Sequence, residues 1–169
     1  MVFNIMTYQI YDNFLNSEDF KQLQFLQSVF FPWYMQDHIA GQGDKTRDRE
    51  DTYFTHLFYR DDVWHSKFTR HIDPLLKKLN PKTLLRIKGN LYVKTNKRFD
   101  HNPHTDYPFE HKGAIFYINS NDGKTVLEDG KEIDSVANRL LLFDSSKPHN
   151  STSCTNANCR INININYHD

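Results

Sequence analysis

His104-Thr105-Asp106 sets two metal-binding side chains two residues apart. In an extended chain, positions i and i+2 point to the same face, so an imidazole and a carboxylate can reach one ion from a single strand end. His149, after Lys147-Pro148, and Arg160 follow downstream. Two histidines and a carboxylate can occupy one face of an octahedral Fe(II) and leave the other positions open. A 2-oxo acid could chelate two of those positions through its carboxylate and keto oxygens. Its far carboxylate would then need a buried cation, and a planar guanidinium such as that of Arg160 pairs with a carboxylate in bidentate fashion. His-x-Asp alone occurs by chance in many chains, so its weight depends on what surrounds it. His101 is a rival ligand, but its neighbour two residues on is Pro103, which offers no donor atom.

These residues must be positioned by strands. Leu84 to Lys94 alternates, with Leu85, Ile87, Leu91 and Val93 on one side and Arg86, Lys88, Asn90, Tyr92 and Lys94 on the other. Gly113 to Asn119, Arg139 to Phe143 and Lys147 to Cys154 read as further strands, with Asn121-Asp122-Gly123 and Asp129-Gly130 as turns. The last strand alternates Arg160, Asn162, Asn164 and Asn166 with Ile161, Ile163 and Ile165. That pattern suits a surface strand of a helix-backed sheet, and equally a strand packed under helices on one side and lining a wet cavity on the other.

The N-terminal part reads as a strand over Tyr8 to Leu15, then a helix capped by Asn16 or Ser17. Phe20, Leu23, Leu26 and Phe30 share a helical face, and Pro32 stops the helix. Trp33 to Ile39 and Tyr53 to Tyr59 have strand character. Gly41 to Thr52 (GQGDKTRDREDT) is a polar surface loop, or a mobile substrate lid. A second helix is predicted from Asp61 or Asp62, with Trp64, Phe68 and Ile72 on one face and a kink or restart at Asp73-Pro74. Asn80-Pro81 ends it. The expected architecture is therefore mainly β with N-terminal helices (α+β), a two-sheet or barrel-like core backed by helices on one outer face.

Bulk properties narrow the function. A chain of 169 residues with 14% aromatics is expected to form one domain whose core leans on large rings. The formal net charge is zero, so no basic excess serves a phosphate backbone and nucleic acid is not an expected partner. No apolar run approaches a membrane span and no signal peptide is legible, so a cytoplasmic chain with no membrane partner is expected. Cys154 and Cys159 could form one local bridge or remain free thiols. Oligomeric state is not legible.

The order His104-x-Asp106, His149, Arg160 resembles the 2-oxoglutarate/Fe(II)-dependent dioxygenases, and within them the prolyl-hydroxylase-like branch. Ala114 to Asn119 is similar to that branch's strand after the His-x-Asp loop. Asp122 to Leu127 resembles its Gly-Gly-x-Thr/Leu hairpin, with Asp122-Gly123 standing for the glycine pair. Asn138 to Asp144 resembles the strand that leads to the second metal histidine. The likeness covers Leu84 to Tyr167 and, more generally, the N-terminal helices. It implies a double-stranded β-helix (jelly-roll) core in one domain over 1–169, with supporting helices and strands in 1–82 and the catalytic β-core in 83–169. It implies that His104, Asp106 and His149 bind Fe(II) and that Arg160 anchors the C5 carboxylate of 2-oxoglutarate. Tyr117 and Tyr92 would line the co-substrate pocket, with Thr125 and Asn164 beside them; the two tyrosines also read as plain core rings. Collagen-type members carry lysine where this chain has Arg160. The implied reaction hydroxylates a C–H bond, with succinate and CO2 as co-products, and leaves a need for ascorbate open. A prolyl residue of a peptide or protein is the leading substrate, and a free amino acid or other small molecule the rival. A cupin-like binding module without chemistry is the non-enzymatic alternative.

Overall fold

The computed structural model describes residues 8–36 and 53–169. The chain enters through strand β1 (Tyr8–Tyr11) and helix α1 (Ser17–Leu23). Asn16 caps α1, its Oδ1 accepting the Asp19 N–H at 2.9 Å, with Glu18 and Asp19 in the first turn. After Leu23 the helix tightens into a 3-10 turn over Gln24–Gln27. That change of period shifts the apolar phase. Leu23 and Leu26 are buried as expected, but Phe30 is 82% exposed and Phe31 fills the interior instead. Strand β2 (Tyr34–Gln36) is the described part of the strand expected from Trp33. The Gly41 to Thr52 loop lies outside the described residues.

Strand β3 (Tyr53–Arg60) is followed by a correction to the predicted second helix. Asp61 and Asp62 both have positive φ, 53° and 59°, and join β3 to the short antiparallel strand β4 (Val63–Trp64). Two consecutive left-handed residues are what a type I′ hairpin turn requires, and Asp tolerates that region. The turn takes these acids away from a helix start and leaves Trp64 half-exposed. Thr69–His71 forms a 3-10 turn, and helix α2 runs only over Asp73–Leu79, with Pro74 in its first turn and left-handed Asn80 at its end.

The remaining chain is β5 (Thr83–Val93), β6 (Lys112–Tyr117), β7 (Lys124–Leu127), β8 (Glu132–Asp134), β9 (Leu140–Asp144), β10 (His149–Ser151) and β11 (Cys159–His168). Among the described residues these form two antiparallel sheets. The larger runs β1-β9-β6-β11-β5-β3-β2, with β4 on β3; the smaller runs β10-β7-β8. The fold is thus mainly β. Four of its strands precede α2, so helices and strands are interleaved at the N-terminal end rather than segregated.

Alternation along β11 divides the interior. Ile161, Ile163 and Ile165 pack with Phe116, Leu140 and Ile87 against Leu23, Leu26, Ile72 and Leu75, so the helices cover this face. A second apolar cluster joins Ile115, Tyr117, Leu141 and Phe143 of the large sheet to Leu127 and Ile133 of the small one. Between the sheets, the polar face of β11 meets that of β5 rung by rung: Arg160 opposite Tyr92, Asn162 opposite Asn90, Asn164 opposite Lys88, Asn166 opposite Arg86. Among the described residues, no helix is long and apolar enough to cross a membrane.

Candidate active site

The first three of these rungs and Arg86 line a cavity of about 350 Å³ together with His104, Asp106, Thr125, His149 and Tyr53. The segment after β5 is pinned beside β10 by backbone pairing. His104 and His149 exchange N–H to C=O hydrogen bonds, each 2.9 Å, and Asp100 pairs with Thr152. This bridge sets the two imidazoles side by side, ring centroids 4.7 Å apart. The His149 Nδ1–H donates to the Lys147 carbonyl at 3.0 Å, which leaves its Nε2 lone pair toward Asp106.

Asp106 is held from four directions. Arg86 Nη2 donates to Oδ1 at 2.6 Å. Oδ2 accepts from Ser145 Oγ at 2.6 Å, Asn166 Nδ2 at 2.8 Å and Asn164 Nδ2 at 3.1 Å. Burial alone would push this carboxyl up. The Arg86 guanidinium, His149 and the hydrogen bonds more than reverse that, and hold it well below the usual carboxylate range. Burial and the facing His149 keep His104 below the ordinary histidine value. The site therefore offers two imidazole nitrogens and one carboxylate. His104 Nε2 lies 3.9 Å from Oδ1 and His149 Nε2 lies 3.7 Å from Oδ2. One ligand atom from each residue falls within 4.8 Å of the others, close enough to hold a metal ion. Oδ1 carries a single hydrogen bond, so it keeps a lone pair free for a metal. The donor set fits Fe(II).

Arg160 is wholly buried behind this group. Its Nε donates to Ser135 Oγ at 2.9 Å and its Nη2 to Thr125 Oγ1 at 3.0 Å. Nη1 has no partner. The guanidinium lies between the rings of Tyr92 and Tyr117, 5.2 and 5.9 Å from their centroids. Thr125 Oγ1 also accepts from the Tyr117 hydroxyl at 2.8 Å. No carboxylate among the described residues pairs with this cation, and an unpaired buried charge is costly. A ligand carboxylate would complete it.

The structure brings His104, Asp106, His149, Arg160, Tyr92, Thr125 and Asn164 to one cavity; Tyr117 is not among its lining residues and lies against Thr125 and Arg160. Thr125 accepts from Arg160, and Tyr117 donates in turn to Thr125. Asn164 points its amide hydrogens at Asp106. His101 stands apart from the triad, stacked on Tyr92 and hydrogen-bonded to Ser151 Oγ, and burial brings its imidazole down to about 4. Sequence reasoning missed Arg86, Ser145, Lys88 and Tyr53. For Arg86 and Lys88 a signal existed, since both sit on the polar face of a strand central to the sheet. Cys154 and Cys159 are free thiols.

Gly123 gives a direct test of the Arg160 geometry. A Cβ at this position would lie 2.6 Å from Arg160 Cδ and 2.9 Å from the Ser153 carbonyl oxygen. The second contact is backbone and cannot swing away. Gly123→Ala is expected to cost about 1–3 kcal/mol by overpacking and to displace Arg160. Urea unfolding should register the change. A variant as stable as wild type would show that Arg160 and the Ser153 carbonyl make room for the added methyl.

No family model matches the chain, and no curated protein matches it. Solved structures do. A prolyl hydroxylase from Trichoplax adhaerens, in complex with a hypoxia inducible factor oxygen degradation domain peptide fragment, superposes at TM-score 0.67 with 18% identity, over 98% of this chain and 85% of that one. The viral collagen prolyl hydroxylase of Paramecium Bursaria Chlorella virus-1 matches at 0.62 with 12% identity, over 100% of both chains. The chain has the fold of the prolyl-hydroxylase-like 2-oxoglutarate/Fe(II) oxygenases. That fold also serves other chemistry: the alpha ketoglutarate dependent epimerase SnoN from nogalamycin biosynthesis matches at TM-score 0.62 with 14% identity, over 96% of this chain and 76% of that one.

Proposed function

We propose that the chain is a 2-oxoglutarate- and Fe(II)-dependent dioxygenase that hydroxylates a C–H bond of a second substrate. The observation that carries this is the pairing of two unsatisfied sites in one cavity. The His104, Asp106 and His149 donors converge, and Arg160, buried with Nη1 unpartnered, lies behind them. On this reading the two sheets are the halves of a double-stranded β-helix and residues 1–169 are one domain, 1–82 supporting the β-core in 83–169.

Fe(II), bound by His104, Asp106 and His149, supplies together with 2-oxoglutarate and O2 the oxidising power for hydroxylation, with succinate and CO2 as co-products. The protein's own residues do the rest. Arg160 takes the C5 carboxylate. Thr125 and Ser135 fix its guanidinium, and Tyr92 and Tyr117 close over its faces. Burial pushes both phenols up, so they stay neutral beside that carboxylate. Arg86, Ser145, Asn164 and Asn166 hold Asp106 in the orientation that keeps Oδ1 available.

A prolyl residue of a peptide is the substrate favoured by the neighbours, two of which are named as prolyl hydroxylases and one of which holds a peptide fragment. A free amino acid or other small molecule is favoured instead by the cavity's charge, which includes two cations on β5. Mass spectrometry for a +O product, with Fe(II) and 2-oxoglutarate, across proline peptides and free amino acids separates them.

Metal dependence tests the proposal itself. Chelator-stripped protein should lose Fe(II)-dependent succinate release, regain it with Fe(II), and melt at a higher temperature when metal is restored. Succinate release insensitive to the chelator would end the assignment.

A further inference from the structure

One positive charge in the cavity has nothing to balance it. Three cations line the cavity, Arg86, Lys88 and Arg160, and Asp106 is the one carboxylate among its described lining residues. Arg86 is committed to Asp106. Arg160 is committed, on the reading above, to the co-substrate. Lys88 remains. Among the described residues its ammonium meets no acceptor; it lies over the Tyr53 ring, 5.7 Å from the centroid. Burial, with Arg86 adding to it and Asp106 opposing, brings this amine down to about 8. A half-buried lysine that faces the cavity without a counter-ion is better accommodated when an anion pairs with it. A dianionic co-substrate bound to a divalent metal leaves that charge uncompensated.

The rung partner of Lys88 on β11 is Asn164. The Asn164 amide is oriented without ambiguity, because its Nδ2 donates to the Asp106 carboxylate, which only accepts. Its Oδ1 is therefore an acceptor, and it is buried with no partner. The 2-oxoglutarate dianion has only acceptor oxygens and cannot satisfy it. Side by side, then, stand a cation that needs an anion and an acceptor that needs a donor. Both are in the cavity and neither is used by the metal or the co-substrate.

We propose that Lys88 is the recognition residue for a carboxylate on the substrate that is oxidised, with Asn164 Oδ1 accepting from an N–H or O–H of the same molecule. The inference rests on the dioxygenase reading of the cavity and names the substrate class of that site. Such a carboxylate belongs to a free amino acid or to an acidic side chain of a peptide. The cavity is near the small end of ligand pockets, which span about 300–1,000 Å³, and it must also seat the co-substrate. The free amino acid is the better fit.

The test uses the full chain loaded with Mn(II) and 2-oxoglutarate, so that no turnover occurs, and calorimetric titration. The probes are free L-amino acids against their carboxamides, and Asp- or Glu-containing proline peptides against their Asn or Gln counterparts. At least one acid should bind about tenfold or more tighter than its amide, because the amide leaves the lysine unpaired. That preference should vanish in Lys88→Met and survive in Lys88→Arg, which keeps the charge. Whichever arm shows it identifies the source of the carboxylate. The wild-type comparison of acid with amide stands even if Lys88→Met does not fold. Uncoupled, Fe(II)-dependent succinate release by wild type is measured in parallel. If succinate is released but no probe acid binds better than its amide, or if the preference persists in Lys88→Met, the substrate inference is overturned and the dioxygenase reading stands. If wild type neither releases succinate nor binds metal, both fall.

Discussion

Asp106→Ala and His104→Ala should both abolish Fe(II)-dependent succinate release, but only the first should destabilise the metal-free protein. The expected loss of metal affinity exceeds the roughly 10–100-fold that removal of an outer hydrogen bond brings, because a direct ligand is gone. The two residues differ in what they hold when no metal is bound. Asp106 accepts from Arg86, Ser145, Asn164 and Asn166, and its side chain is 4% exposed. Its removal strands the largely buried Arg86 without a carboxylate. Breaking such a pair costs about 3 kcal/mol, and three amide or hydroxyl donors lose their acceptor as well. The His104 side chain is 29% exposed and its Nδ1 has no partner, so its loss removes little from the apo fold. Urea unfolding of chelator-treated proteins, beside metal titration, reads both effects. Equal stability of the two variants would mean that Arg86 does not depend on Asp106 in solution. Wild-type metal affinity in either would remove that residue from the metal site.

Arg160→Met should act in the opposite sense on stability. The guanidinium is fully buried, with no carboxylate partner among the described residues and Nη1 unsatisfied. Replacing such a charge by an apolar side chain of similar length is often neutral or stabilising by about 1–4 kcal/mol. The co-substrate-free variant should therefore melt no lower than wild type. Affinity for 2-oxoglutarate should fall by roughly 30-fold to several thousand-fold, the range for losing a buried, hydrogen-bonded charge pair worth about 2–5 kcal/mol. Wild type should be strongly stabilised by 2-oxoglutarate plus metal, and the variant should not. A variant with unchanged 2-oxoglutarate affinity would refute the anchoring role. Arg160→Lys is expected to fall between, since a point charge cannot reproduce the two-pronged pairing.

Much of this site could be read from residue types and their order. His104, Asp106, His149 and Arg160 carry chemistry that few other side chains can, and the alternation in β5 and β11 announced a polar wall. Arg86, Ser145 and Asn166 were not legible in the same way, because their roles arise from strand register. Only the pairing of Asn166 with Arg86, and of the Asp106 backbone N–H with the Ser145 carbonyl, delivers them to the Asp106 carboxylate. The departures of the fold from these expectations are local. Asp61-Asp62 suits a helix start or a hairpin turn equally well by composition; the two positive φ values decide for the turn. Phe30 is exposed because the α-helical period expected past Leu23 gives way there to a shorter one.

The rungs between β5 and β11 have a consequence for how this protein can change over time. On both strands, even-numbered positions from Arg86 to Tyr92 and from Arg160 to Asn164 line the cavity, and Asn166 holds Asp106 beside it. Ile87, Ile161, Ile163 and Ile165, at odd numbers, face the core. Parity therefore separates what the protein binds from what keeps it folded. New ligand preferences can be explored by substitution at even positions while the isoleucines stay untouched. A single inserted or deleted residue in either strand would exchange the two sets and ruin both at once. Lineages sharing this scaffold should thus diverge along these strands by substitution, with lengths held fixed.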